Sequence, residues 1–600
     1  MIHRRLKLPV TSSKSLVTCH GFTLIEAVIV LSIFVFLSSI SWISLSNYLN
    51  SSGLDQMANQ ITALLSDAQS RAIAQEQGSA WGVLFTNGAS SDTFSLFRGS
   101  TANIVITYSL RGNIIFIDPG SLESKSVTFV KLTGAPDNIF TITLGVSGRA
   151  ISRVVEIDEF GSITGLGTGE YRGLVGYWKF DEVEGDGVST TTPDVAGDND
   201  GTVEGGASLD TGIKNDAMSF DGVDDYVNVD DSGMPLGDSD RTFSLWVKLD
   251  AVDGYFGLLR YGTAVPLEHS ALVVNPGGSL SYSGHSNDFT GPSTITAEEW
   301  HHVVFTYSSG GDAELYLDGD LYTSATISTQ DTVSGGTLVI GAYDDEGSGH
   351  PKLFFNGLID DARIYNRALE ADEVEGIYYR NKLAYGLAGY WKLDEGTSET
   401  AYDSSSNWNN GTLLPADPDG PTWFTKGKSG KALKFDGADD YISINATPSL
   451  NFDAANYAVS AWFSLTNASG EDAILGQRES CGSYNIQLYA KDAATCGGNA
   501  LFASDNAANF VCSDSPVTTD AWHHIVGVHD DDDLLIYIDG ALAGTGSPGS
   551  SGSGANEVPT FIGDDSCSGY FDGPIDEVRI YDRALSAGEV DYLYTHPSGR

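Results

Sequence analysis

The sequence predicts a mainly β protein: two tandem antiparallel β-sandwiches behind a small α+β domain that begins with a long hydrophobic helix. Three observations carry this reading. The chain repeats itself over more than 200 residues. Within each repeat, apolar residues alternate with a period of two, the signature of strands in a packed sheet. Ahead of the repeats, from Phe22 to about Leu45, the only ionisable side chain in an apolar run is Glu26.

That run comes first in the chain. Some two dozen helical residues span about 36 Å, enough to cross a bilayer. His3, Arg4, Arg5, Lys7 and Lys14 precede it without an acid, which places the cytoplasmic membrane's inner side at the N-terminus. A carboxylate inside such a helix needs a partner or a function. Gly21-Phe22-Thr23-Leu24-Ile25-Glu26 and the run that follows resemble the type IV prepilin signal, with a longer leader than usual. The resemblance implies cleavage by a prepilin peptidase between Gly21 and Phe22, methylation of the new N-terminal Phe22, and a fifth mature residue, Glu26, that meets the N-terminal ammonium of a neighbouring pilin subunit. Leu54, Met57, Ala58, Ile61, Leu64, Leu65, Ala68, Ala72 and Ile73 recur at steps of three and four, so the helix is expected to continue with one apolar face to about Gln77. Strand-like runs then follow at Trp81 to Phe85, Ile104 to Ser109, Ile114 to Ile117 and Ile139 to Leu144. The segment around Leu64 to Gln77 is similar to minor pilins and pseudopilins of the FimT class.

The repeats come next. Gly173 to Glu182 returns as Gly386 to Glu395, Phe220 to Val227 as Phe435 to Ile442, and Trp300-His301-His302-Val303 as Trp522-His523-His524-Ile525. Tyr316 to Gly319 returns as Tyr537 to Gly540, and Gly357 to Leu369 as Gly573 to Leu585. Five motifs in one order at offsets of about 213 to 222 residues are two whole domains rather than a solenoid. Phe243, Leu245, Val247 and Leu249 alternate with Ser244, Trp246 and Lys248, which predicts one buried and one open face; Val459, Ala461, Phe463 and Leu465 repeat the scheme. Asp-Gly pairs at 221, 318, 436 and 539 mark tight hairpins. Short helical turns are expected within Asn366 to Tyr379 and Asp582 to Tyr594, the second with capping-box spacing at Ser586 and Glu589.

This ordered set resembles the LamG-like jelly-roll domain of the concanavalin A-like lectin/glucanase superfamily. The expected organisation is a leader at 1–21, a pilin-like domain at 22–170 (helix 22–77, head 79–165), and jelly-roll domains at 171–383 and 384–600.

Thirty-two basic residues face eighty acidic ones, a net charge of -48 and a pI near 4.2, which excludes nucleic acid as a partner because phosphate binding needs the opposite sign. Cys19 leaves with the leader. Cys481, Cys496, Cys512 and Cys567 all lie in the second repeat, where two disulfides are expected in one of three connectivities. A zinc site is the alternative, although the spacings of 15, 16 and 55 residues lack the usual close-spaced Cys pair. Calcium is the expected metal. Asp194, Asp198 and Asp200 before Gly201, and Asp403, Asn407, Asn409 and Asn410 before Gly411, place oxygens in tight loops, with metal-free Asx turns as the alternative. The family resemblance implies a structural calcium joining the chain ends, at Asp181 or Glu182 with Asp360, and at Asp394 or Glu395 with Asp576.

No enzyme is expected. Glu370, Asp372 and Glu375 fit the E-x-D-x-x-E string of jelly-roll glucanases, but such carboxylates must alternate along a strand in the sugar cleft, and this stretch lies in the terminal helical turn. The second copy loses the string. His301 and His302, like His523 and His524, point to opposite faces of a strand and cannot share one ion; structural roles beside Trp300 and Trp522 are expected. Ligand-binding residues are not identified, although Trp246, Tyr255, Tyr282, Trp408 and Trp423 are aromatics of a kind that stacks on sugars. The reading is a minor type IV pilin or pseudopilin, inserted in the cytoplasmic membrane as a precursor and then carried to the extracellular pilus surface. There it is expected to act, at the pilus tip, as an adhesin for carbohydrate or a surface protein. A structural subunit of a secretion pseudopilus is the alternative, and a surface glycan hydrolase a weaker one.

Overall fold

The computed structural model describes residues 79–598 apart from intervening loops, together with six positions between 61 and 72. Gly21, Phe22, Glu26 and the expected membrane helix lie outside the described residues. Among the described residues no helix is long and apolar enough to cross a membrane. Positions 61, 64, 65, 68, 71 and 72 are helical, and Ile61, Leu64, Leu65, Ala68 and Ala72 are buried, so the three-and-four spacing does mark a packed face. The Arg71 guanidinium lies 4.9 Å from the Trp81 ring centroid.

The head is a four-stranded antiparallel sheet in the order Ser100–Ser109, Thr93–Arg98, Trp81–Thr86, Ser124–Phe129. Ile114–Asp118 pairs separately with Phe140–Val146. All four strand runs expected here are found. Val83, Phe85, Phe94 and Val127 are fully buried.

Each repeat is a jelly-roll-like sandwich of two antiparallel sheets. In the first, the central strands of one sheet are Asp216–Asp221, Asn356–Tyr365, Arg241–Leu249 and Trp300–Ser308, with Leu174–Trp178 also paired to Asn356–Tyr365. The facing sheet centres on Tyr226–Val229, Leu338–Ile340, Phe256–Gly262 and His269–Asn275. The second sandwich keeps this order: Ala432–Asp436, Asp572–Tyr581, Tyr457–Phe463 and His523–His529 face Tyr441–Ile444, Thr560–Ile562, Asp472–Ser480 and Ser483–Asp492. Gly357 and Gly573, which open the long strand of each copy, have φ of 137° and 144°. A Cβ there would strike the carbonyl of Lys248 or of Ser464, so only glycine fits.

Phe243, Leu245 and Val247 fill one core with Trp178, Phe220 and Phe305, and Val459, Ala461 and Phe463 fill the other with Trp391 and Phe435. Burying each of the large apolar side chains contributes about 1.5–3 kcal/mol. The expected open face is a correction: every residue of Arg241–Leu249 except Lys248 is buried. The outer face is covered by a 14-residue helix, Ala371–Ala384, which is no short turn. Trp246 stacks on Tyr378 of that helix at 5.5 Å and on His302 at 5.1 Å.

The second copy does the same with Ala587–Thr595, whose Tyr594 stacks on Trp462 at 5.6 Å. Its capping box forms as expected: Glu589 N–H donates to Ser586 Oγ (3.3 Å) and Ser586 N–H to Glu589 Oε2 (2.9 Å). The two closing helices also join the sandwiches. Tyr379 stacks on Tyr592 at 4.6 Å, and Arg583 donates to the carbonyls of Lys382 (2.5 Å) and Tyr385 (2.8 Å).

Candidate functional site

Carboxylates gather at two places in each sandwich. The first is where the ends of the repeat meet. Asp360, on the long strand, is 1% exposed; its Oδ2 accepts the N–H groups of Ile213 (2.9 Å) and Lys214 (3.3 Å), while its buried Oδ1 has no donor. Asp181 accepts from Asn215 at 3.3 Å, whereas Glu182 is exposed. Burial pushes the Asp181 carboxyl up to about 6. Burial first, then the charges of Asp361 and Asp181, holds Asp360 well above the usual carboxylate range.

The second copy adds an acid. Asp576 Oδ2 accepts from Ser429 N–H (3.0 Å) and its Oδ1 is buried without a donor. Asp394 Oδ1 accepts from Lys431 N–H (2.6 Å), and Glu395 Oε1 from Tyr402 N–H (2.8 Å), with Glu395 Oε2 buried and without a donor. Burial pushes Asp394 up to about 6 and Glu395 to about 7, and burial with the Glu577 charge takes Asp576 to about 9. Desolvated carboxyls with oxygens that lack donors are groups of the kind that can ligate a hard cation.

The neighbouring acids have a different task. Asp361 and Glu577 sit in the left-handed region, with φ of 51° and 53°, beside a bulge in the long strand. Each is held by a buried arginine and a tyrosine: Arg363 (3.0 Å) and Tyr177 for Asp361, Arg579 (2.8 Å) and Tyr390 for Glu577.

The loop carboxylates face donors rather than open space. Asp194 Oδ1 accepts the N–H groups of Tyr177 (2.8 Å) and Ala196 (3.0 Å), its Oδ2 that of Asn199 (3.3 Å), and Asp200 Oδ1 takes Asp194 N–H (2.9 Å). Asp198 lies outside the described residues. Asp403 is likewise filled by Tyr390, Ser405 and Asn409 N–H groups at 2.7–2.9 Å, and Asn407 donates to the Ala388 carbonyl (3.2 Å). Both loops are Asx-type turns in which a cation would have to displace N–H groups.

The second gathering of acids was not picked out from the sequence as chemistry, although it sits inside a quoted repeat. In the hairpins Asp221-Gly-Val-Asp224-Asp225 and Asp436-Gly-Ala-Asp439-Asp440, one oxygen from each of three carboxylates falls within 4.8 Å of the others. The turn brings this about: Val223 and Ala438 N–H donate to Asp221 and Asp436 (both 2.8 Å), and Asp221 and Asp436 N–H to Asp225 (2.9 Å) and Asp440 (3.0 Å). A cavity of about 630 Å³ opens beside the second hairpin, lined by Asp419, Lys434, Asp436, Asp439, Asp440 and Asp572 among others.

The paired histidines divide as the strand geometry requires. His301 pairs with Asp318 at 2.8 Å and His302 with Ser244 at 2.8 Å; His523 pairs with Asp539 at 2.7 Å and His524 with Ser460 at 2.9 Å. The aromatic partners of His302 and His524 are Trp246 and Trp462, not Trp300 and Trp522. Burial holds both rings down at about 3, so they are neutral.

Trp246 and Tyr282 are 1% and 0% exposed, which removes them from any ligand-stacking role. Trp423 packs against the core, while Tyr255 and Trp408 are 57% and 64% exposed. Glu370 caps and Asp372 and Glu375 lie within the closing helix, where Glu373 grips Arg367 at 2.6 and 2.9 Å; the string is not on a strand. Cys496 is bonded to Cys512, and Cys567 is also in a disulfide; Cys481 lies outside the described residues.

The human adhesion G-protein coupled receptor D1 is 29% identical over 124 residues, which cover 18% of this chain and 14% of the receptor. The chain thus spans about a seventh of that relative's length. Among solved structures, domain 4 of AbnA, an extracellular GH43 arabinanase from Geobacillus stearothermophilus, in complex with arabinotriose, is 20% identical. It covers 35% of this chain and 98% of that one, with a TM-score of 0.30. Mouse laminin alpha1 domains LG4-5 are 14% identical, over 61% and 90% of the two chains, with a TM-score of 0.20. Residues 221–375 and 436–591, just over half of the 600, match the model of the concanavalin A-like lectin/glucanases superfamily, and residues 18–42 match the prokaryotic N-terminal methylation motif. The chain therefore belongs to that superfamily and carries a type IV pilin signal in front of it.

Proposed function

We propose that this chain is a minor type IV pilin that carries two lectin-like domains to the filament tip as an adhesin for carbohydrate or a surface protein. The observation that carries the reading is the joining of a methylation motif to two sandwiches of the lectin superfamily in one chain. Bulk supports the tip: more than 400 residues beyond the head are hard to bury among the packed subunits of a shaft and easy to place at its end. Binding is favoured over catalysis because the one glucanase-like string lies on a closing helix. Fold alone does not supply function, so the argument rests on this pairing of signal and cargo.

Calcium belongs to the same proposal. Asp181 with Asp360, and Asp394 and Glu395 with Asp576, would hold it; the orphaned oxygens of Asp360, Glu395 and Asp576 fit that ion. Bound there, calcium would neutralise these acids and tie the start of each repeat to its end.

The test has three arms. Glu26→Ala should spare export and cleavage yet cut incorporation into filaments at least about tenfold, since an ammonium in the bundle would lose its partner; normal incorporation would sink the pilin reading. Gold labelling should mark filament tips, and label confined to the inner membrane would favour the pseudopilus subunit. Filaments applied to a glycan array with and without EDTA should bind in a calcium-dependent manner. Binding to none of the glycans would move the ligand to the protein class.

A further inference from the structure

The two acidic hairpins are nearly identical in sequence, and their surroundings differ at one decisive atom. In the first sandwich the buried Asp225 carboxylate accepts Asp221 N–H at 2.9 Å, and Ala207 N–H is a second backbone group acting on it. Register locates the second copy's counterpart of Ala207. Ser208 pairs with Ser219 beside Phe220, and Thr422 pairs with Lys434 beside Phe435, so Pro421 stands where Ala207 stands. Proline has no N–H to give. Asp440 therefore keeps the bond from Asp436 N–H (3.0 Å) and nothing replaces the other: its Oδ1 is buried without a donor, in a residue 3% exposed.

A buried carboxylate oxygen left unsatisfied is destabilising unless something positive meets it. The surroundings supply the rest of a site. Oxygens of Asp436, Asp439 and Asp440 converge within 4.8 Å. Around the adjoining cavity, Asp419, Asp436, Asp439, Asp440 and Asp572 set five carboxylates against the ammonium of Lys434. Asp572, in turn, replaces Asn356 of the first sandwich at the same register position.

We propose that the second sandwich binds a hard divalent cation of the calcium class at Asp436, Asp439 and Asp440, and that the first sandwich, where Ala207 N–H already acts on the equivalent carboxylate, does not. Carboxylate oxygens alone suit calcium, which takes about 6–8 oxygen ligands in flexible geometry, and the open cavity leaves room for water to complete the shell. This site is separate from the chain-end carboxylates and does not depend on the adhesin reading, because the probe is the metal alone.

Calorimetric titration of the full-length protein in detergent with calcium chloride tests it. Asp439→Asn, at an exposed position, should lower the stoichiometry by one equivalent, while Asp224→Asn in the first hairpin should leave stoichiometry and affinity unchanged. Pro421→Ala restores a donor to Asp440 and should weaken that same equivalent by about tenfold, the effect of roughly 1.4 kcal/mol. Unchanged stoichiometry in Asp439→Asn overturns the proposal, as does a loss of one equivalent in Asp224→Asn. If Asp439→Asn fails to fold, the Pro421→Ala titration decides alone: affinity equal to that of the parent protein overturns the site. Asp576→Asn as background separates it from the chain-end acids, and the same loss on adding Asp439→Asn is expected there.

Discussion

The two sandwiches were built from one plan and have been finished differently. Strand order, the bulge beside Asp361 and Glu577, the Trp–His–Tyr stack and the closing helix are common to both. What differs is at the periphery. The second copy carries the disulfides, has Asp472 and Asp572 where the first has Phe256 and Asn356, and puts Pro421 in place of Ala207. Asp572 N–H donates to Asp472 Oδ1 at 3.4 Å, and burial pushes Asp472 up to about 6. Shared features therefore mark what the fold needs, and differences mark where one copy has acquired chemistry the other lacks.

The largest effect should come from breaking a shared feature. Arg363 and Arg579 each neutralise a buried acid, and removing one partner of a buried pair costs about 3–5 kcal/mol. The two losses should not be equal. Without Arg363, Asp361 keeps the Tyr177 hydroxyl and the Asn381 amide (2.5 Å); without Arg579, Glu577 keeps the Tyr390 hydroxyl. Arg579→Ala is thus expected to lower the melting temperature more than Arg363→Ala, measured by calorimetry at one pH. The reverse order would mean that the matching geometry of the two strands hides different energetics.

A second measurement exploits a difference. The Cys496–Cys512 bond closes 16 residues of chain, a loop whose closure is worth about 3 kcal/mol. Cys496→Ser with Cys512→Ser should lower the unfolding transition of the second sandwich and leave the first where it was. A joint fall of both would show that the contacts of Tyr379 with Tyr592, and of Arg583 with Lys382, couple the two into one cooperative unit.

How far the sequence reached follows the same division. Repeated strands were legible because alternation and turn residues act locally, and the head strands fall within a few residues of their expected bounds. The covered face of Arg241–Leu249 was not legible. Ser244 and Lys248 read as polar, yet Ser244 is buried against His302, and it is a helix over a hundred residues downstream that covers this face. The three-carboxylate hairpin was visible as a motif and not as a site, because its chemistry depends on whether residue 207 or 421 brings an N–H to the next strand. The disulfide connectivity was equally beyond sequence reach, since Cys496, in the bend before Asn499–Ser504, meets Cys512 only once that strand pairs with Phe510–Cys512.

The smallest effect expected per residue concerns the histidines inside the shared stack. His302 contacts Ser244, Trp246 and Tyr378, with Asp318, Asp361 and Arg363 as the charges acting on it; His524 contacts Ser460, Trp462 and Tyr594, with Asp539, Arg579 and Lys428. Both rings titrate at about 3 in the folded state, held down first by burial, against about 6.5 when unfolded. Between these values the unfolded chain binds the extra proton. The contribution is therefore fully present above about pH 6.5 and is lost as pH falls toward 3, at about 1.4 kcal/mol per pH unit for each ring, or about 2 kcal/mol each at pH 5. His302→Gln and His524→Gln should each flatten the slope of stability between pH 6.5 and 5 by the same amount, read from urea unfolding at both pH values. Flattening by only one of them would show that the two stacks, alike in every distance, are not alike in solvation. The first place to look would then be Lys428, whose ammonium lies 3.8 Å from the Trp462 ring centroid in the second sandwich.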